Sequence, residues 1–465
     1  MAEVEKAPGI ARHPVLTYEQ ILERDSRPVP EHLREANVPD IGTDPIPVSR
    51  YIDPAFARLE ERHLWPRIWQ MACREEEIAA AGDALLYEIA GRSLIIARQT
   101  DGSIRAFHNS CLHRGRKLVT AAGGKSEFRC PFHGMAWHID GSFKHNPMEW
   151  DFPQWRCKNM SLPQAKVETW GGFVFLNMNP DAVPLSAVLQ PIQDHLDRYH
   201  FEESSIVLHV RKHVRCNWKV AAEAFMESHH AVATHPQLLG YLSDVNSQYD
   251  ALSDHVTRQF SAGMVPSPFV ERRMSENQIL EAMQKADSRG ALPGLELGIP
   301  AGGTARAFVA DVNRQAHSKA DGVDYDAGSD AEMVDALLYN LFPNISFWAG
   351  FGPKLFYRWR PDGRDPDSSL MDIYFLKRVP KGRARPPPAP VIEIGPDEGM
   401  LESGPGAGMS RGLSLVFEQD MKNLPLVQEG MKCSATGVVH FGRYTEMRIR
   451  LMHQMIDRTI AESVG

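Results

Sequence analysis

Long apolar runs are missing from this chain. No stretch approaches the roughly 20 residues that cross a bilayer, so no membrane partner is expected. The opening residues Met1-Ala-Glu-Val-Glu-Lys6 are acidic and lack the apolar stretch of a secretory signal, which predicts a cytoplasmic protein. Cysteine is scarce: six in 465 residues make no disulfide framework. A basic excess is also missing. The 51 Lys and Arg against 59 Asp and Glu give a formal net charge of −8, which disfavours nucleic acid as a main partner. Internal repeats are absent, and so is any flavin or nicotinamide motif. What is present, 43% hydrophobic and 24% charged residues, is ordinary for a globular chain long enough for two or more domains.

Two short loops stand out. Cys111-Leu-His113 and Cys130-Pro-Phe-His133 each offer one thiolate and one imidazole, and each runs into glycine at Gly115 or Gly134. A Rieske-type [2Fe–2S] centre needs two Cys on one iron and two His on the other. Structural zinc takes the same ligands, but its knuckles usually pair Cys with Cys and His with His. The mixed loops therefore favour a two-iron cluster over zinc, and both over four unrelated core residues. Pro131, Gly115, Gly134 and Gly141 permit tight turns, and Trp137 is placed to shield a cluster from water. Cys73, Cys157, Cys216 and Cys433 read as buried thiols. Arg114, Arg116 and Lys117 beside the first loop are either a solvated face or a dock for an acidic electron carrier.

Residues 1–50 read as a Pro-rich, charged arm with one short helix from Tyr18 to Arg24. Residues 51–180 read as a β unit holding the loops. A helix, Ala55 to Trp69, leads it with Phe56, Leu59, Leu64 and Trp65 on one side. Its strands are expected at Ala84–Ala90, Ser93–Ala97, Ile104–Phe107 and Gly172–Asn177, separated by turns such as Asp101-Gly102. Residues 181–465 form a second unit. Helices are expected at Ala187–Tyr199 and Val220–Ala233, and a loop or lid over 285–330. Strands follow near 345–348, 354–359 and 370–376, then a Pro-rich excursion from Arg383 to Gly399. A helical tail runs from Phe417 to Ala461, interrupted near Gly437. The fold class is α+β: an antiparallel β domain, and a second domain whose antiparallel sheet is covered by helices.

The segment from Asn217 to Pro236 carries a second constellation. On a continuous helix, Glu223, Glu227 and His230 at i, i+4 and i+7 share one face. His235 precedes Pro236, and a residue before proline is pushed out of α geometry, so the helix is expected to end there and let His235 swing back beside His230. Two His near one carboxylate suit a mononuclear ferrous site with open positions. Asp420 is the candidate carboxylate, on a stripe with Phe417, Leu424, Val427 and Met431. A carboxylate on an apolar stripe is costly unless paired. The competing reading makes Asp420 a capping or salt-bridged residue in a turn before Pro425. His229 competes with His230, and Glu418 with Asp420.

These motifs together, with Asn217-Trp-Lys219, Leu341-Phe-Pro-Asn-Ile-Ser346 and Val427-Gln428, resemble the oxygenase component (α subunit) of Rieske non-haem iron ring-hydroxylating oxygenases, from about Ser49 to Ile460. The resemblance implies that Cys111, His113, Cys130 and His133 hold a [2Fe–2S] cluster, and that His230, His235 and Asp420 hold one Fe(II) per chain. It implies that Glu227 bridges His230 to His133 of a neighbouring chain, in a homotrimer with or without a small β subunit. Electrons come from NAD(P)H through a flavin reductase, a ferredoxin, or both, and O2 is the co-substrate. Two positions depart from the family habit: His229 stands where Tyr is frequent, and Ala224 where Asn is. Candidate pocket residues are Phe225, Met226, Val232, Leu238, Leu239, Phe347 and Trp348, whose character favours a neutral hydrophobic substrate. The first expectation is cis-dihydroxylation of an aromatic compound. The second is monooxygenation, by hydroxylation or oxidative O- or N-demethylation. The third is an electron-transfer protein without catalytic iron.

Overall fold

The computed structural model describes residues 16–156, 158–288, 298–352 and 354–464. The expected β-rich strands form. β1 (Gln70–Arg74), β2 (Asp83–Ile89), β3 (Arg92–Arg98) and β4 (Ile104–His108) precede a small sheet of β5 (Glu127–Arg129), β6 (Ala136–His138) and β7 (Phe143–His145). β8 (Gln164–Trp170) and β9 (Phe173–Asn177) then return to the larger sheet, in the order β1-β9-β8-β4-β3-β2, with Gly123–Gly124 at the edge. Alternation along β3 puts Leu94 and Ile96 into one core, and Ile95 and Ala97 into the core that also holds Cys111 and Cys130.

The second sheet has eight strands. β10 (Ser204–Val214), β11 (Gln248–Ala251), β12 (Val256–Ser261), β13 (Ala336–Leu341), β14 (Ile345–Trp348), β15 (Lys354–Pro361), β16 (Ser369–Arg378) and β17 (Val391–Ile394) are ordered β11-β12-β13-β14-β15-β16-β10-β17. Every neighbouring pair is antiparallel except β10 with β17. The Pro-rich excursion therefore contains an edge strand, since Val391-Ile-Glu-Ile394 follows Pro390 and pairs at once. Six helices shape the site: α1 (Trp218–Glu223), α2 (Ala231–Thr234), α3 (Glu276–Ala286), α4 (Ala305–Asp321), α5 (Arg411–Lys432) and α6 (Met447–Val464). No described helix is long and apolar enough to cross a membrane.

Several sequence expectations are corrected. The helix expected from Ala55 turns π-helical over Glu60–Leu64, which leaves Leu59 40% exposed and brings Glu60 inside. There Glu60 accepts from Lys219 Nζ (2.7 Å) and Trp218 Nε1 (3.2 Å), so the wider turn serves a buried ion pair. The helix expected over 187–199 is broken at Pro191, which lacks a backbone N–H. The 285–330 stretch carries a helix of 17 residues, α4. Its buried face mixes Ala305, Val309 and Ala310 with two paired arginines: Arg306 meets Asp25 and Asp335, and Arg314 meets Asp330. Cys433 is exposed, whereas Cys73 and Cys216 are buried, and Cys157 lies outside the described residues.

Candidate metal centres and the cavity between helices and sheet

The two Cys/His loops are built alike. Cys111 donates its N–H to Arg116 O (2.9 Å) and accepts from Gly115 N–H (2.9 Å). Cys130 donates to Met135 O (2.8 Å) and accepts from Gly134 N–H (2.9 Å). Each closing glycine has positive φ, 76° and 78°, a conformation costly for any residue with a Cβ. Both sulfurs are buried, while the imidazoles of His113 and His133 lie at the surface side, with ring centroids 4.7 Å apart. Burial and the neighbouring Cys130 push the Cys111 thiol up, while the backbone N–H groups of His113 and Arg114 oppose them. His113 Nδ1 is a buried nitrogen without a hydrogen-bond partner. Paired buried thiols under paired imidazoles, one with an orphaned nitrogen, fit a cluster with sulfur on one iron and nitrogen on the other.

The second constellation begins on α1, capped by Asn217, whose side chain accepts from Lys219 N–H. The helix does not continue to Ala233. It stops at Glu223, after which Phe225 and Met226 N–H bond only three residues back, to Ala222 O (3.0 Å) and Glu223 O (2.9 Å). Beyond that turn Ser228 N–H donates to Tyr249 Oη (3.1 Å), while Ser228 Oγ engages Asp244 O and Ser247 Oγ. Glu223 and Glu227 consequently part company. Glu223 lies in a closed pocket 2.9 Å from Tyr51 Oη and 2.8 Å from His453 Nε2. Burial drives Glu223 up to about 8 and His453 well down, so this contact is a neutral hydrogen bond rather than an ion pair.

That raised acid predicts a pH effect. Glu223 is protonated in the fold and ionises near 4.5 when unfolded, so its stabilisation is complete below about pH 4.5 and is lost as pH rises through about 8. Lys219 and Arg50 favour its ionised form and Glu446 opposes it. Glu223→Gln, which cannot ionise, is expected to flatten the fall in melting temperature between about pH 5 and 8. Parallel melts of both proteins across that range check it, and identical slopes would refute the assignment.

Beyond the break, His230 precedes α2, and His235 ends it at φ −123° and ψ 54°, outside α geometry as Pro236 requires. The two imidazoles come to 5.1 Å between centroids. α5 runs unbroken through Pro425, so Asp420 sits mid-helix and 5% exposed, among Leu413, Phe417, Leu424 and Met431. Val427 is 44% exposed and leaves that stripe, and Gln428 takes its place. Asp420 Oδ1 lies 3.0 Å from His235 Nε2 and 3.8 Å from His230 Nε2, and one ligand atom from each residue falls within 4.8 Å of the others.

The outer nitrogens are held by the protein. His230 Nδ1 is 2.5 Å from Glu227 Oε1, and His230 N–H donates to Oε2 (3.0 Å). His235 Nδ1 is 2.9 Å from Gln419 Oε1. Both Nε2 atoms are thus turned to Asp420, and two imidazoles with one carboxylate fit a mononuclear ferrous ion. Burial alone would raise the Glu227 carboxyl, but His229 and His230 hold it down at about 2. His229 Nδ1 is 2.9 Å from Glu227 Oε2 yet misaligned for a hydrogen bond, so that contact is electrostatic; the ring is 42% exposed and turned away from Asp420. Glu418 faces away too, toward Leu401 N–H and Lys422. Gln419 escaped the sequence reading; its only signal was adjacency to Asp420.

A cavity of about 280 Å³ opens onto His230, His235 and Asp420. Phe225, Leu238 and Trp348 line it as expected. Met226, Val232, Leu239 and Phe347 do not. Phe347 alternates with Trp348 on β14 and packs into the opposite core beside Phe356, whereas Met226 is buried in the same core that Phe225 packs against. The stretch from Ser243 to Asn340 supplies much of the remaining wall, including Met264, Met283, Val309 and Asn313, but no Lys or Arg is among the described lining residues.

The architecture is that of a cluster-bearing β domain joined to a domain with a His–His–Asp centre, the arrangement of Rieske non-haem iron proteins. Residues 68–156 match the family described as "Rieske [2Fe-2S] domain", and residues 196–462 match "Ring hydroxylating alpha subunit (catalytic domain)". The chain belongs to the ring-hydroxylating α-subunit family. It is 32% identical over 206 residues to the biphenyl 2,3-dioxygenase α subunit of Rhodococcus jostii (strain RHA1), 43% of this chain and 45% of that one. It is 29% identical over 194 residues to the carnitine monooxygenase oxygenase subunit of Escherichia coli (strain K12), 41% of this chain and 52% of that one. The matched segment thus spans about half the length of these curated relatives. Among solved structures, naphthalene 1,2-dioxygenase with indole bound shares the fold at TM-score 0.62 and 18% identity, covering 92% of this chain and 94% of that one. A quaternary ammonium Rieske monooxygenase in complex with L-carnitine does so at TM-score 0.60 and 16% identity, covering 91% and 99%.

Proposed function

We propose that the chain is a terminal oxygenase that uses O2 and relayed electrons to hydroxylate a neutral, largely apolar aromatic compound, with cis-dihydroxylation as the first reading. The supporting observation is an apolar cavity, without a described Lys or Arg in its wall, meeting the His230, His235 and Asp420 triad. Ferrous iron on that triad supplies O2 activation, and a cluster on Cys111, His113, Cys130 and His133 supplies single electrons. The chain's own groups do the positioning. Glu227 and Gln419 fix the two imidazoles through their outer nitrogens, while Leu238, Leu413 and Phe417 keep the approach apolar.

Among the described residues, Glu227 bonds His230, contacts His229 and touches neither Cys/His loop. A bridge from Glu227 to His133 accordingly calls for a second chain, which supports a homotrimer with or without a small β subunit. The electron donor is a ferredoxin, a flavin reductase, or both. Arg114 and Arg116 are exposed to receive an acidic carrier, while Lys117 already pairs with Glu88 (2.6 Å).

Monooxygenation is the second reading, because a carnitine monooxygenase subunit is nearly as similar as the dioxygenase subunit. A zwitterion like carnitine, however, finds no cation for its carboxylate in the described wall. Electron paramagnetic resonance on dithionite-reduced holoprotein exposed to nitric oxide, with and without biphenyl, tests the proposal. A Rieske signal plus a ferrous-nitrosyl signal reshaped by biphenyl supports it. A Rieske signal alone in fully iron-loaded protein would hand the chain to the electron-carrier reading. Product analysis under isotopic O2 then separates a dihydrodiol, which carries both labelled atoms, from a monooxygenated product.

A further inference from the structure

Most polar groups that line the cavity are already engaged by protein. Gln259 accepts from Arg448 (2.8 Å) and donates to Ser261 Oγ (3.3 Å). Ser228 is held by Tyr249, Ser247 and Asp244, and Ser288 Oγ is bonded to Tyr241 Oη. His230, His235, Asp420 and Glu227 belong to the metal centre described above. Two side chains on α4 differ.

Val309, Asn313 and His317 follow one another at i, i+4 and i+8, so they form a single stripe along the cavity wall. Asn313 Nδ2 donates to Met333 O (3.0 Å), which fixes the amide and leaves its Oδ1 as a free acceptor. His317 Nε2 is buried and, among the described residues, has no partner. A buried imidazole nitrogen without a hydrogen bond is unfavourable, so a polar ligand group that the ring turned to meet would be bound more tightly for it.

The stripe also has a direction. Val309 belongs to the apolar cluster that contains Leu238 and Val416, three residues from His235 and four from Asp420. The other end of the stripe lies beside Tyr325, whose ring centroid is 6.3 Å from that of His317, and Met333, outside that cluster. Eight helical residues at 1.5 Å each separate Val309 from His317 by roughly 12 Å along the helix axis. The free polar groups thus sit toward the end of the cavity away from the metal centre.

We propose that Asn313 and His317 form a hydrogen-bonding pole that selects substrates carrying a hydroxyl, carbonyl or ring-nitrogen group at the end opposite the oxidised carbon. This deepens the proposed function and rests on it: the apolar body fills the cavity, and the pole sets orientation. Burial pushes His317 below the ordinary imidazole range, with Lys354 and Lys377 acting in the same sense and Asp321 against it. The ring is therefore neutral at pH 7 and offers one donor and one acceptor, which suits an uncharged polar group better than a carboxylate.

Equilibrium dialysis of the iron-loaded holoprotein against biphenyl and para-hydroxybiphenyl tests the pole, since the two probes share length and shape. Wild-type protein is expected to favour the hydroxylated probe about fivefold, the worth of one net hydrogen bond. The ratio should fall to about one in His317→Leu and recover in part in His317→Gln, whose amide can still bond. A wild-type ratio near one, or a ratio unchanged in His317→Leu, would overturn the pole while biphenyl binding leaves the proposed function standing. Failure of both probes to bind iron-loaded wild-type protein would remove the apolar-substrate reading and the pole with it.

Discussion

Glu227→Gln is expected to keep both iron centres and lose turnover by about 100-fold, the upper range for groups that orient a metal ligand. The glutamine preserves shape and one acceptor oxygen. It removes the charge that draws in His229 and His230, and it replaces with an NH2 group one of the two oxygens that accept from His230 N–H and face His230 Nδ1. A His whose outer nitrogen loses its carboxylate is free to change tautomer and tilt, and small displacements are expensive when electrons and substrate must meet in one geometry. The measurement is the rate at which the dithionite-reduced cluster is reoxidised by O2 in the presence of biphenyl, alongside iron content. Wild-type rates in a fully loaded variant would end the positioning role of Glu227.

Asp420→Ala is expected to strip the mononuclear iron alone. In the proposed site three ligands hold the iron, and the loss of the one carboxylate among them leaves two imidazoles, a poor seat for ferrous iron. Iron should fall from about three to about two atoms per chain, with the Rieske absorption intact. The fold should survive, because removing a carboxylate 5% exposed among Phe417 and Leu424 also removes a buried charge. Iron stoichiometry that does not change would mean that His230, His235 and Asp420 hold nothing.

The centres were legible where local rules dominate. The paired Cys/His loops announce themselves because a tight turn needs glycine at the same place in each. His235 could be placed beside His230 because Pro236 must end the helix. Asp420 was legible as a carboxylate on an apolar stripe. What stayed hidden depends on partners distant in sequence. Past the end of α1 the Ser228 N–H is held by Tyr249, so no helix resumes there and Glu223 parts from Glu227 despite perfect helical spacing. α4 read as a loop because its buried face interrupts Ala305, Val309 and Ala310 with arginines, whose acids lie at Asp25, Asp330 and Asp335. Trp348 reached the cavity while Phe347 did not, because neighbouring strand residues face opposite ways.

The buried contacts of α1 bear on modularity. Lys219 closes on Glu60, Asn217 Nδ2 donates to Tyr51 O (2.9 Å), and Glu223 meets Tyr51 Oη. Both partners, Tyr51 and Glu60, lie N-terminal to the Rieske match at residues 68–156, on the lead-in to that domain. A chimera that grafts residues 196–462 onto a foreign cluster domain would strand a buried lysine unless the lead-in travels with it, and breaking such a pair costs about 3–5 kcal/mol. The transplantable unit is therefore the catalytic half together with Tyr51 and Glu60, and a cluster domain would be exchanged at two joints, one between Glu60 and residue 68 and one between residues 156 and 196.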